Sequence, residues 1–221
     1  EATYIPLSER KDGLLDAGAA TREVRSAAEQ ASALLIGSGL GQQPLTAAFV
    51  RQLLGGPLSD LPLVLDADCL NILAGEPRWW QGVSAPAILT PHPGEMARLV
   101  GAAADQDRIA LATSCASTWS KVVVLKGAHT VVAFPDGGAV LSPFANPGLA
   151  TAGTGDVLAG VIAGLVSQGL SLADAAALGV FLHGSAGERV RSELGDTGMV
   201  ASDLLLALPR TIHALRSGDL A

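Results

Sequence analysis

Cysteine is scarce: Cys69 and Cys115 are the two in 221 residues. They lie far apart, without a CxxC or a nearby Cys/His cluster, so they form neither a zinc pattern nor a disulfide framework. They read as two reduced thiols of a cytoplasmic protein. Positive charge is also thin, with 14 Lys plus Arg against 21 acids and a net charge of −7. No basic cluster resembles a nucleic-acid footprint, so nucleic acid is not an expected partner. Long apolar runs are missing too. The most promising one, Val157 to Val166, is bounded by Asp156 and Gln168 and falls short of the ~20 residues that span a bilayer. No membrane partner is expected. The opening EATYIPLSERKDG has neither the basic start nor the apolar core of a secretion signal. Internal repeats, charge blocks and low-complexity linkers are absent, so the expectation is one domain over residues 1–221.

What the chain does hold is apolar surface: 49% hydrophobic residues and a mean hydropathy of +0.40, enough for one α/β domain with a sizeable core. Three short apolar runs each lead into a helical pattern: ALLIG (33–37), PLVLD (62–66) and PAIL (86–89). They read as buried parallel strands, followed by helices over PLTAAFVRQLL, ADCLNILA and PGEMARLV, with Pro44 and Pro93 suited to a first helical turn. A helix over 105–120 and a strand over 121–127 make a fourth unit, which places Lys126 at the carboxyl end of a strand. Ligands of open α/β sheets gather at that end. TVVAF (130–134) and AVLS (139–142), joined through Pro135-Asp136-Gly137-Gly138, predict a hairpin near the sheet edge. From Gly155 onward the pattern is helical, with Ser171 and Asp174 as a capping pair.

Five stretches carry residues capable of chemistry. NPGLATAGTGDVLAGV (146–161) sets four glycines around Asp156 at a helix start. Bare amides and the helix dipole there suit an anion, and Asp156 is either a proton acceptor for an attacking hydroxyl or a helix cap. It is not the Walker pattern GxxxxGK[ST]. LTPHPGEMARL (89–99) fixes His92 between two prolines at a strand end, where ligand contact is the favoured reading, while Glu95 suits capping. VLDADCLNIL brings Asp66, Asp68 and Asn71 to a strand–helix junction within reach of a ligand or hydrated magnesium, with capping favoured for Asp68. LKGAHT (125–130) offers a cation and loop amides for a nucleotide phosphate, and GSGLG (37–41) a bare strand end against which a ligand can lie. His183, inside a long helical pattern, reads as a satisfied histidine.

In order, GSGLG, LDADCLN, TPHPGEMARL, LKGAHT and NPGLATAGTGDVLAG resemble the NAD(P)H-hydrate dehydratases of the ribokinase-like superfamily. The resemblance runs from about residue 33 to the C-terminal helices. It implies an α/β fold with a central, mostly parallel sheet flanked by helices on both faces. It also implies a lyase that repairs the S epimers of hydrated NADH and NADPH. ADP or ATP, with Mg²⁺, would phosphorylate the ring hydroxyl, and phosphate would then leave. Asp156 would be catalytic. Gly39, His92 and Asp156 would contact the damaged cofactor, with Asp66 and Asn71 as further substrate residues. Lys126, Gly127, Ala128, His129, Thr130, Thr154 and Gly155 would bind the nucleotide, while the metal ligands stay unassigned. Family members assemble as homo-oligomers, tetramers among them. Their domain opens with a glycine-rich strand and a GS-x-x-YxGA-type turn that EATYIPLSERKDG does not match, so the chain is expected to lack the first βα unit. No epimerase activity is expected. A small-alcohol kinase of the same superfamily and a non-catalytic nucleotide-binding module remain the alternatives.

Overall fold

The computed structural model describes residues 2–56, 58, 60–101, 107–195 and 197–219. Four strands, β1 (Leu34–Ile36), β2 (Leu63–Leu65), β3 (Ala87–Leu89) and β4 (Val122–Leu125), run parallel in chain order. The chain then reverses: β5 (Val131–Ala133) pairs antiparallel with β4 and β6 (Ala139–Leu141) antiparallel with β5, which closes the sheet order β1-β2-β3-β4-β5-β6. The expected hairpin is this edge, with every residue of β6 exposed.

Helices cover both faces, because strand side chains alternate between them. On one face, Leu63, Leu65, Leu89, Val123, Leu125 and Val131 join one apolar core with five helices. These are α1 (Ala17–Ala28), α2 (Pro44–Leu54), α3 (Ala67–Ala74), α4 (Pro93–Val100) and α5 (Arg108–Trp119). On the other face, Val64, Ile88, Val122, Val124 and Val132 pack against α6 (Thr154–Ser167) and α7 (Leu172–Leu194). A third cluster, around Leu182, Met199 and Leu204, seats α8 (Ala201–Ser217) on α7. No described helix is long and apolar enough to cross a membrane.

Each expected strand and helix is present, with ends shifted by a residue or so; residues 105 and 106 of the expected fourth helix lie outside the described residues. One element has no counterpart among the expectations. α1 is capped by Asp16, whose Oδ1 accepts from the Ala19 amide at 2.9 Å, and its buried residues are Ala17, Ala20 and Thr21. Side chains that small leave no large apolar repeat to read, although they suffice to pack α1 against α2.

Candidate active site

A cleft of about 740 Å³ opens over the carboxyl ends of the central strands. Three strand ends supply its polar floor: Asp66 after β2, His92 after β3 and Lys126 after β4. The first turn of α6 and the middle of α7 close the opposite wall. That wall lies close because α7 carries glycines where the 144–149 segment presses in: a Cβ on Gly184 would meet Phe144 Cδ2 at 2.2 Å, and one on Gly187 would meet Leu149 Cδ2 at 2.8 Å.

Asp66 is 1% exposed, and its Oδ1 accepts from Thr90 Oγ1 at 2.7 Å and from Lys126 Nζ at 2.9 Å. Glu95, also buried, brings Oε2 to 3.8 Å from the same ammonium. One cation thus stands between two buried carboxylates, and that pairing keeps both charges tolerable away from water. Asp66 is positioned by its backbone: its amide donates to Ile36 O, and a Cβ on Gly37, at φ +149, would lie 1.8 Å from Asp66 O. Only glycine lets β1 turn away this close to β2. Among the described residues no three His, Cys, Asp or Glu side chains converge on a cation position, and the Lys126 ammonium fills the space between Asp66 and Glu95. The chain therefore builds no magnesium cage of its own.

α4 begins with a closed cap. His92 Nδ1 accepts from the Gly94 and Glu95 amides at 3.0 and 3.4 Å, and Glu95 Oε2 accepts from the His92 amide at 2.8 Å. Glu95 caps, as expected, and His92, expected chiefly as a ligand contact, is the other half of the same box. Its side chain is nonetheless 50% exposed and lines the cleft.

α6 begins differently. Its N-cap is Gly153, at φ +89, which has no side chain to offer. The Thr154 amide donates to Thr151 O at 3.3 Å and its hydroxyl to Leu149 O at 2.6 Å, which locks the first residue in place. The Gly155 and Asp156 amides make no hydrogen bond among the described residues, so two of the three amides expected to face an anion are free and Thr154's is engaged. Asp156 is exposed and caps nothing. Instead its Oδ1 accepts from Ser38 Oγ at 2.9 Å, across 118 residues of chain. A Cβ on Gly155 would stand 3.3 Å from Lys126 Nζ, so the ammonium sits beside these amides. Free amides, a helix N-terminus, an ammonium and an exposed carboxylate converge: an anion subsite with a proton acceptor at its edge.

The remaining expected site residues divide. Gly127, Ala128 and Thr130 line the cleft with Lys126, and Thr130 Oγ1 closes their loop on Gly127 O at 3.0 Å. His129 points elsewhere, its Nδ1 3.1 Å from Ser142 O and its amide donating to Phe144 O. Gly39, at φ +76, does not line the cleft but neighbours Ser38, which reaches Asp156. Asn71 is also outside the lining, because its Oδ1 accepts from Arg98 Nε at 2.8 Å. Asp68 does not cap α3; it accepts from the Gly41 amide at 2.8 Å and Gln42 Nε2 at 2.9 Å and so pins the GSGLG loop.

Three contributors were not foreseen. Ser38 sat unremarked in a glycine-rich stretch. Arg108 donates to Ala128 O, Leu125 O and Lys126 O at 2.7, 3.2 and 3.3 Å, fastening the phosphate-type loop from the start of α5. His183, expected to be merely satisfied, lines the cleft at 8% exposure and donates through Nε2 to Thr154 O at 2.9 Å. Burial pushes its pKa down to about 4; the Thr154 bond opposes that shift and the Lys126 charge reinforces it. A polar residue inside a helical pattern gives no sequence signal of which loop it will meet.

A family model described as NAD(P)H-hydrate dehydratase matches residues 5–210. The chain is 49% identical over 185 residues to the bifunctional NAD(P)H-hydrate repair enzyme Nnr of Moorella thermoacetica, covering 82% of this chain and 34% of that protein. It is 35% identical over 221 residues to the ADP-dependent (S)-NAD(P)H-hydrate dehydratase of Xanthomonas campestris, covering 99% of this chain and 73% of that one. It spans 34% to 41% of the length of the first curated relatives it matches. Among solved structures, the ADP/ATP-dependent NAD(P)H-hydrate dehydratase of Bacillus subtilis, co-crystallized with ATP/Mg²⁺, aligns with a TM-score of 0.72 at 35% identity over 85% of this chain and 68% of that chain. A ribokinase-like superfamily protein of Enterococcus faecalis aligns with a TM-score of 0.76 at 28% identity over 88% of this chain and 67% of its own. The fold is ribokinase-like.

Proposed function

The chain belongs to the NAD(P)H-hydrate dehydratase family, and on that premise we propose that it dehydrates the S forms of hydrated NADH and NADPH at the expense of ADP or ATP. The observation that carries the reading is the first turn of α6: unengaged Gly155 and Asp156 amides beside the Lys126 ammonium, with the Asp156 carboxylate exposed to the cleft. Charge spreads over the phosphoryl oxygens during transfer, and fixed amides, dipole and ammonium stabilise it without reorganising. Asp156 takes the proton of the attacking ring hydroxyl through Oδ2, because Oδ1 is held by Ser38. The nucleotide's terminal phosphoryl group passes to that oxygen, so ADP becomes AMP. Phosphate then leaves with the oxygen, and loss of a ring proton restores the reduced cofactor.

Of the substrate residues, His92 and Asp66 sit at the cleft, and Gly39 and Asn71 belong to its surroundings. The 126–130 loop, with Thr154 and Gly155, holds the nucleotide. Magnesium accompanies the nucleotide on its phosphates, since Mg²⁺ is usually held by one or two carboxylates, water and phosphate rather than by a protein cage. The buried, unpaired cysteines suit a reducing cytoplasm. Exposed Leu205 and Leu206 on α8 suit a homo-oligomer contact.

The test is to incubate the protein with hydrated NADH, Mg²⁺ and either ADP or ATP, and to follow reduced-nicotinamide absorbance and AMP or ADP release. Recovery with one nucleotide supports the reading. No recovery with either sinks it, and a stable phosphate ester as product would identify a kinase instead.

A further inference from the structure

We propose that α4 locks His92 as the Nε2–H tautomer, so that it serves the cleft as a hydrogen-bond donor to an oxygen of the nicotinamide substrate and not as a base. The substrate half of this statement rests on the dehydratase reading; the tautomer half does not.

An imidazole ring that accepts at one nitrogen carries its proton on the other. His92 Nδ1 lies 3.0 Å from the Gly94 amide and 3.4 Å from the Glu95 amide, and both are donors with no other role for that lone pair. The ring cannot turn over without abandoning two orphan amides of the helix start. Its seat is built to hold it. The Glu95 carboxylate fixes the His92 backbone from below at 2.8 Å, and Pro91 and Pro93 restrain the chain on both sides. Above the ring, Gly94 supplies the room: a Cβ there would come within 2.8 Å of Cε1 and 3.2 Å of Nδ1.

Nε2 then holds the proton. It makes no hydrogen bond among the described residues; Glu95 Oε1, at 3.5 Å, is the near carboxylate oxygen and is buried under the ring. Half of the side chain is exposed, and the residue lines the cleft. A proton delivered to this histidine would have to land on Nδ1 and would turn an N-cap acceptor into a donor facing two donors. The helix therefore withholds basicity from His92 and leaves it one outward N–H. In the reaction proposed above, Asp156 remains the proton acceptor, and His92 orients an oxygen of the substrate, such as its carboxamide.

The experiment is ¹⁵N-resolved NMR of the four imidazoles in the full chain, with the His92 signals assigned by their loss in His92→Asn. The expected result is an unprotonated Nδ1 and a protonated Nε2 for His92, with the Nε2–H signal shifting when NADH is added and not with ADP alone. Asn keeps a strong N-cap acceptor, so His92→Asn should retain the unfolding midpoint while kcat/KM for hydrated NADH falls about tenfold, the worth of one substrate hydrogen bond. A protonated Nδ1, or an undiminished kcat/KM in His92→Asn, overturns the proposal. A shift produced by ADP alone gives the oxygen to the nucleotide and overturns the substrate half. If the tautomer and the NADH shift hold while the wild type dehydrates nothing, the dehydratase reading fails and the tautomer assignment stands.

Discussion

Two helices start at the same cleft and are provisioned in opposite ways. α4 satisfies its own first amides with the His92–Glu95 box, whereas α6 starts on a bare Gly153 and leaves the Gly155 and Asp156 amides unengaged. A helix N-terminus with its donors satisfied is scaffold; one with its donors open is a binding device held ready for an anion. The two also differ in what holds them. α4 is fixed by residues within its own first turn, α6 by a hydrogen bond from His183 on another helix and by Thr154 reaching back to Leu149 O. Local capping makes α4 robust, and remote bracing makes α6 dependent on the rest of the fold.

Four perturbations break or sharpen that contrast. The largest effect belongs to Asp156→Asn, which keeps the shape of the α6 start and removes its proton acceptor. Turnover of hydrated NADH should fall by about 10²- to 10⁴-fold with folding intact by circular dichroism; a rate near wild type would reduce Asp156 to a surface acid.

The remote brace on α6 should show in the pH dependence of stability. His183 has a folded pKa pushed down to about 4, against about 6.5 in the unfolded chain. Between those values the unfolded state binds the extra proton, so stability contributed by the neutral imidazole is complete above pH 6.5 and drains away as pH falls toward 4. The loss should approach about 3 kcal/mol over that window. Urea titrations from pH 7.5 to 4 should show it, and His183→Gln, which keeps a donor for Thr154 O but does not titrate, should flatten the slope in that interval.

Gly153→Ala places a Cβ 3.1 Å from the Ala201 methyl and forces an L-residue into φ +89. It should cost about 1–2 kcal/mol, and because the strain falls on the bare helix start, nucleotide affinity measured by calorimetry should weaken with it. Equal affinity in wild type and variant would mean that the turn is scaffold only. The smallest effect is expected at α4. His92→Ala removes the cap acceptor and should lower stability by about 0.5–2 kcal/mol, seen as a reduced urea midpoint that His92→Asn restores.

Much of this was legible in the sequence, and the reason is local. β2, β3 and β4 are buried on both faces and so appear as unbroken runs of Leu, Val and Ile, and Pro44 and Pro93 mark helix starts by their fixed φ. Lys126 and Asp66 were placed at strand ends by counting alone, and the cleft gathers them. What stayed hidden depends on contacts between distant segments. α1 buries alanines and a threonine, which carry no periodic signal. Ser38, Arg108 and His183 matter through partners 118, 20 and 29 residues away, separations that no local pattern encodes. Asn71 and Asp68 misled for the converse reason. Both sit at the right junction, and each is taken by a neighbouring loop or helix.

The bond between Ser38 and Asp156 joins the loop after the first strand to the start of the sixth helix. A carboxylate aimed from the far end of the polypeptide is therefore steadied by a hydroxyl made early in synthesis. Competence then arrives late and all at once: neither the nascent sheet nor a chain cut between these residues can aim the acid, and activity regained during refolding should trail the recovery of helical signal.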